Sequence, residues 1–296
     1  MAFLAQQLIN ALALGSIYAL MAIGLALIFG ILKLINFAHG ELLMVGPFFA
    51  FGLIKLGLPF GLAALLGVVL TGLVGVGMER LAYRPLRGAP DVTLLLTSLA
   101  VSYFLQNSVI LTAGGESKAF SGPGILDVRL PLAPGVGVST IDLLIMAAAL
   151  LLLVLFTLFI TRTTMGVSMR ATAENLLAAQ LMGINIGRVI TTAFVVGAAM
   201  AAVAGILWGI RIGKIDPLMG FIPVLKAFVA TVIGGFGSIP GAVLGAYILG
   251  FLEIFLAGWL PGGTTGYRDA IVFALLIVVL LVRPQGILGS GEREGV

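Results

Sequence analysis

The sequence predicts an all-α polytopic membrane protein with eight or nine transmembrane helices, some broken or re-entrant, and a cytoplasmic coupling helix. Three observations carry this. Hydrophobic residues fill 60% of the 296 positions and charged residues 9%, with a mean hydropathy of +1.22. Apolar stretches near the roughly 20 residues needed to cross a bilayer recur along the whole length. One segment, RTTMGVSMRATAENLLAAQLMGINIGR from Arg162 to Arg188, is too polar to span and too helix-prone to be a plain loop. Almost nothing is left for a soluble domain, so residues 1–296 read as one transmembrane domain.

The expected spans are 7–32, 41–57, 60–79, 93–113, 141–161, 188–209, 221–237, 239–258 and 268–283. All must be helical, because lipid cannot satisfy exposed backbone groups. The N-terminal MAFLAQQLINALALGS lacks the basic region of a secretory signal and reads as the start of the first span. Gly and Pro punctuate the rest: Leu58-Pro59, Pro90-Asp91, Asp216-Pro217, Ile239-Pro240-Gly241 and Pro261-Gly262-Gly263. Gly114–Ser139, rich in Gly and Pro, is the one sizeable outside loop and reads as an ordered lid or docking surface.

Charge sets the orientation. With the N-terminus outside, the inside loops carry Lys33, Arg80, Arg84, Arg87, Arg162, Arg170, Arg188, Arg283 and Arg293. The outside loops carry Lys55, Lys118, Arg129, Arg211, Lys214 and Arg268, and Lys226 stays within a span. This excess inside agrees with nine crossings and a cytoplasmic C-terminus. The net charge of +4 is therefore a topology signal and not a nucleic-acid footprint. The absence of cysteine excludes disulfides and thiolate metal sites, and a single histidine excludes a multi-histidine metal site.

Polar groups inside spans are costly and mark function or internal pairing. Lys33, Asn36, His39 and Glu41 interrupt two apolar runs in LKLINFAHGELLMVG. Asn36 can cap the following helix, with Glu41 in its first turn, where the helix dipole favours an anion. Alternatively, this is a broken helix whose exposed backbone ends, with Asn36, His39, Gly40 and Glu41, line a substrate path. His39 reads as a hydrogen-bonded structural residue or, less simply, a pH sensor. The string VIGGFGSIPGAVLG cannot be a regular span. Gly237, Gly241 and Gly245 share a face that permits close helix packing, and path lining by Gly235 and Gly237 is the second reading. These two interruptions fall in opposite halves of the chain, as an internal repeat would place them. Glu253 sits inside a span with Lys226 as a possible partner. Ser98, Ser102 and Gln106 share one face of the fourth span, as interhelical hydrogen bonding or a pore would require.

Thr172–Gly183, TAENLLAAQLMG, reads as an amphipathic helix of about three turns, with Ala173, Leu177 and Leu181 as its stripe and Gly183 as its stop. It carries no basic residue between Arg170 and Arg188, unlike helices that lie on anionic membranes. A protein groove is the better match.

Leu177-Ala178-Ala179-x-x-x-Gly183 resembles the EAA-x-x-x-G motif of bacterial ABC importer permeases, with Leu177 in place of the Glu. INFAHGELLMVG, RATAENLLAAQLMGINIGRV, GGFGSIPGAVLG and RPQGILG are similar, in order, to signatures of the branched-chain amino acid permease family. The resemblance implies a permease in the bacterial inner membrane. Its partners would be a second permease (a copy or a paralogue), two cytoplasmic ATPases and an extracytoplasmic binding protein. It also makes Glu174, Leu177, Ala178, Ala179 and Gly183 the ATPase-coupling residues. The chain has no GxxxxGK[ST] loop, so ATP is used by partner subunits and no cofactor or catalytic residue is expected here. Aliphatic amino acids lead as substrate, and urea or short amides remain open. A zwitterion would place its carboxylate at a helix N-terminus and its ammonium on an acceptor, and Asn36–Glu41 offers both. The competing readings are a secondary transporter relaying ions through Lys226, Glu253 or His39, and a channel.

Overall fold

The computed structural model describes residues 2–259, 267–283 and 285–289. Its helices are α1 (Ala2–Leu32), α2 (His39–Lys55), α3 (Phe60–Gly77), α4 (Asp91–Ala113), α5 (Thr140–Arg162), α6 (Thr164–Glu174), α7 (Leu176–Leu181), α8 (Ile186–Ile212), α9 (Phe221–Gly234), α10 (Ile239–Trp259) and α11 (Arg268–Val282). Six helical segments are long and apolar enough to cross a membrane: 2–32, 60–86, 91–113, 140–162, 186–212 and 239–259. The expected turn at 261–263 and Arg293 lie outside the described residues.

α1 is apolar on every side and buried over nearly all of its central span. A helix without a polar face belongs at the centre of a bundle, and α1 packs against α10, α8, α5 and α9. α4 and α5 are mostly exposed along their apolar faces, as peripheral helices bordering lipid would be. α3 continues through a π-helical turn, Met78–Tyr83, and a 3₁₀ turn, Arg84–Leu86.

At one end lies the loop expected at 114–139. It contains a hairpin, β2 (Arg129–Ala133) against β3 (Val136–Ser139), and a short strand β1 (Lys118–Ala119) that pairs antiparallel with β4 (Lys214–Ile215). Gln6 of α1 accepts a hydrogen bond from the Gly137 amide there, at 2.9 Å. The opposite end carries α6 and α7. These are called the hairpin end and the coupling end.

Three apolar helices among the described residues, α2, α9 and α11, fall short of a full crossing, and two of them meet inside the bundle. α9 has 14 residues, about 21 Å at 1.5 Å per residue, against the span expected over 221–237. α2 has 17 residues and begins deep in the bundle, where the His39 ring lies between Gly24 of α1 and Gly197 of α8. α2 runs from there to the hairpin end. α9 begins beside it and runs to the coupling end, where Gly237 lies 3.9 Å from a side chain built on Gly30, near the end of α1. The break facing 33–41 is thus the start of α9 at Gly220, and not the 234–241 glycine string that the sequence pairs with it.

Candidate functional site

Gly40 and Gly220 are in backbone contact: a Cβ on either would collide with the carbonyl oxygen of the other. Two helix N-termini therefore meet inside the protein, each presenting the positive end of its helix dipole, although the first-turn amides of α2 (His39, Gly40 and Glu41) already donate to the carbonyls of Asn36, Phe37 and Ala38. Glu41, fully buried in the first turn of α2, supplies the countercharge. Its Oε1 accepts hydrogen bonds from Ser102 Oγ and Gln106 Nε2 of α4, both at 2.8 Å. Its Oε2 has no hydrogen-bond partner and faces Gly220, 3.0 Å from where a Cβ would stand. Two members of the polar stripe of the fourth span, Ser102 and Gln106, thus make an interhelical contact on Glu41, while Ser98 donates to the Leu95 carbonyl of its own helix.

Asn36 does not cap α2. The residue before the helix is Ala38, and no side chain caps it. Asn36 Oδ1 instead accepts from Tyr83 Oη at 2.7 Å, tying the break to the π-helical turn of α3. Tyr83 is at hand because that turn widens the helix at its coupling end. His39 is fully buried near the Met21 backbone, and neither ring nitrogen meets a hydrogen-bond partner among the described residues. Lys33, at the start of the break, is the one described non-glycine residue with positive φ, +54°.

Gly235 and Gly237 both have positive φ, +111° and +77°. Gly235 packs against Gly286 and Gly289. Residues 285–289 close over the end of α9, with the Ile287 and Leu288 amides donating to the carbonyls of Ile233 and Gly234 at 2.8 Å each. Two signatures far apart in sequence thereby form one turn. Gly241 and Gly245 press on the backbone of Gly234 and Ala230, which is the close packing expected of them.

Lys226 and Glu253 meet, Nζ to Oε1 at 2.9 Å, and Asp269 joins them at 3.1 Å. Tyr18 Oη donates to Glu253 Oε2 at 3.0 Å. Asp269 and Tyr18 were not singled out in the sequence, although a phenol in the middle of an oily helix is a signal that it has a partner. Glu79 was missed as well. It is buried, pairs with Arg87 and accepts from Thr191 Oγ1 at 2.8 Å.

The helix expected over 172–183 is two helices. Asn175, extended at φ −153°, ends α6 and caps α7, its Oδ1 accepting from the Ala178 amide at 2.9 Å. The stripe Ala173, Leu177, Leu181 is broken accordingly. Leu177, Leu181 and Met182 are 68%, 81% and 83% exposed, while Ala179 is 4% exposed. Gly183 ends α7 at φ +82°. Thr172, Ala173, Glu174 and Leu176 line a cavity of about 650 Å³ together with Lys33 and Leu34 of the break.

Among the described residues no group of acids and histidines is placed to hold a metal ion. Residues 7–280 match the family model for the permease component of the branched-chain amino acid transport system. The chain is 43% identical to the high-affinity branched-chain amino acid transport system permease protein BraD of Pseudomonas aeruginosa, over 98% of this chain and 97% of that one. It is 42% identical to the permease protein LivH of the corresponding system of Escherichia coli K12, with the same coverage. Its fold is similar to a chain in the structure of PsaBC from Streptococcus pneumoniae in complex with Fab, with TM-score 0.51 and 13% identity over 93% of this chain and 91% of that one.

Proposed function

This chain belongs to the family of branched-chain amino acid transport permease components, and from that premise we infer that it is the membrane-spanning subunit of an ATP-driven importer of branched-chain amino acids. Identity of 42–43% across nearly the whole chain to two such permeases carries the reading. The chain is a permease and not an enzyme, and ATP hydrolysis belongs to partner chains. Those partners are two ATPases seated on the α6–α7 end, a second permease, and a binding protein delivering substrate to the hairpin end. The coupling end faces the cytoplasm and the N-terminus the outside, as the basic residues favour. Eight or nine membrane segments then follow if the short α2, α9 and α11 count as partial or tilted crossings beside the six long ones.

The substrate path passes the point where α2 and α9 begin. Asn36, His39, Gly40 and Glu41 line it from one side, and Gly235 and Gly237 lie farther along towards the cytoplasm. The helix ends favour the substrate's carboxylate, and Glu41 Oε2 is the acceptor for its ammonium. Glu174, Leu177, Ala178, Ala179 and Gly183 form the coupling element, with Leu177 and Leu181 as its contact face and Ala179 as its anchor. The full-length relatives named above transport branched-chain amino acids, which favours these over urea or amides. Lys226 is held between Glu253 and Asp269, which favours a structural tie over an ion relay.

The test is reconstitution of the complex in proteoliposomes with internal ATP and external binding protein. Leucine uptake should require both. Uptake that persists without ATP and collapses with an ion gradient would instead establish secondary transport.

A further inference from the structure

The cavity behind α6 and α7 carries a chemistry that the path through α2 and α9 does not use. Its volume, about 650 Å³, falls in the range of small-molecule sites. Ile31, Leu94 and Ile190 supply apolar wall, and Lys33, Arg87 and Glu174 supply charge. Arg87 is neutralised by Glu79. Lys33 and Glu174 are left, on different elements and both exposed at the cavity, and neither forms an ion pair among the described residues. Lys33 is moreover held in the left-handed region, a conformation that costs energy and clusters at ligand clamps and switches.

An aliphatic surface between one unpaired cation and one unpaired anion is complementary to an aliphatic zwitterion. A free phosphate or an anionic lipid headgroup would pair with Lys33 but meet repulsion from Glu174. The walls also come from separate elements: the segment entering α2, and the α6–α7 element read above as the coupling element. A ligand that binds one arrangement of those parts shifts the population towards it.

We propose that this cavity binds free branched-chain amino acid from the cytoplasm, with its carboxylate towards Lys33 and its ammonium towards Glu174, and that the bound molecule braces α6–α7 against the α1–α2 break and slows further import. This rests on the importer reading above, including its orientation. It makes the pool inside the cell a brake on the transporter, acting through a site separate from the path.

The test uses the complete complex in proteoliposomes with internal ATP and external binding protein. Initial uptake of labelled leucine is compared between empty vesicles and vesicles preloaded with unlabelled leucine. Preloading should slow the wild type by about fivefold or more, the lower range of allosteric coupling. The preloaded-to-empty ratio should return towards one in Lys33→Gln, and in Leu94→Trp, which fills the cavity from α4. Labelled leucine should also bind saturably to the solubilised complex lacking binding protein, and lose that binding in both variants. Preloading without effect on the wild type, or an equal effect in all three, overturns the proposal alone. Empty vesicles that import no leucine overturn the importer reading, and this proposal with it.

Discussion

Gly40 and Gly220 start two helices that leave one point in opposite directions, and their backbones touch where each would carry a side chain. Gly40→Ala or Gly220→Ala should therefore separate α2 from α9. Overpacking of this kind costs about 1–3 kcal/mol, occasionally more. Size-exclusion profiles of fluorescently tagged protein should show lost folded yield for both. Gly52→Ala, in open space on α2, should behave as wild type.

Glu41→Gln keeps the shape but removes the charge from between the helix ends. A hydrogen bond to a charged group is worth about 1.5–3 kcal/mol, so leucine uptake should fall by about tenfold or more while folded yield holds. Ser102→Ala removes one of two donors to Oε1 and should cost less. Equal uptake in Glu41→Gln and wild type would remove Glu41 from the path.

Lys226→Met leaves Glu253 and Asp269 facing each other without their cation, and Glu253→Leu leaves Lys226 with Asp269 alone. Breaking a buried pair from one side typically costs about 3–5 kcal/mol, whereas replacing both partners is often near neutral. Thermal unfolding should show lower Tm in each single variant and partial recovery in Lys226→Met/Glu253→Leu. ATP-driven uptake should recover with stability. A stable double variant that no longer transports would favour an ion relay.

Leu177→Arg and Leu181→Arg alter exposed side chains of α7 and should leave the fold intact while abolishing co-purification with the ATPases. Ala179→Arg should fail differently. Its site is buried, so α7 itself should come loose, and limited proteolysis near residues 176–183 should speed up. ATPase recovery at wild-type levels with Leu177→Arg would relocate the contact surface.

Much of this was legible in the sequence because membranes simplify the grammar: oil spans and polarity marks breaks. The break at 33–41 and the Lys226–Glu253 pair follow from residues out of place in lipid, and the stop at Gly183 follows from glycine's access to positive φ. Other features were hidden because one residue type permits two geometries. Asn36 and Asn175 both precede helices, but only Asn175 caps. A tyrosine 47 positions away claims Asn36, and no local rule foresees that. The split of α6 from α7 was missed because Asn175 sits in a window whose apolar period runs through it. The partner of the first break was mislocated because glycine density drew attention to 234–241, whereas the meeting point needed a single glycine, Gly220.

The central helix is made early in synthesis, yet it packs most heavily on α10, and the turn that closes α9 is supplied by residues 285–289. For most of its synthesis, then, α1 lacks its main neighbour and α9 lacks its lid. The protein can complete its core only after α10 has joined the group of α1, α5, α8 and α9. Its half-built forms must wait in the bilayer with their small-residue faces uncovered, and a C-terminal truncation would be felt first at the heart of the bundle.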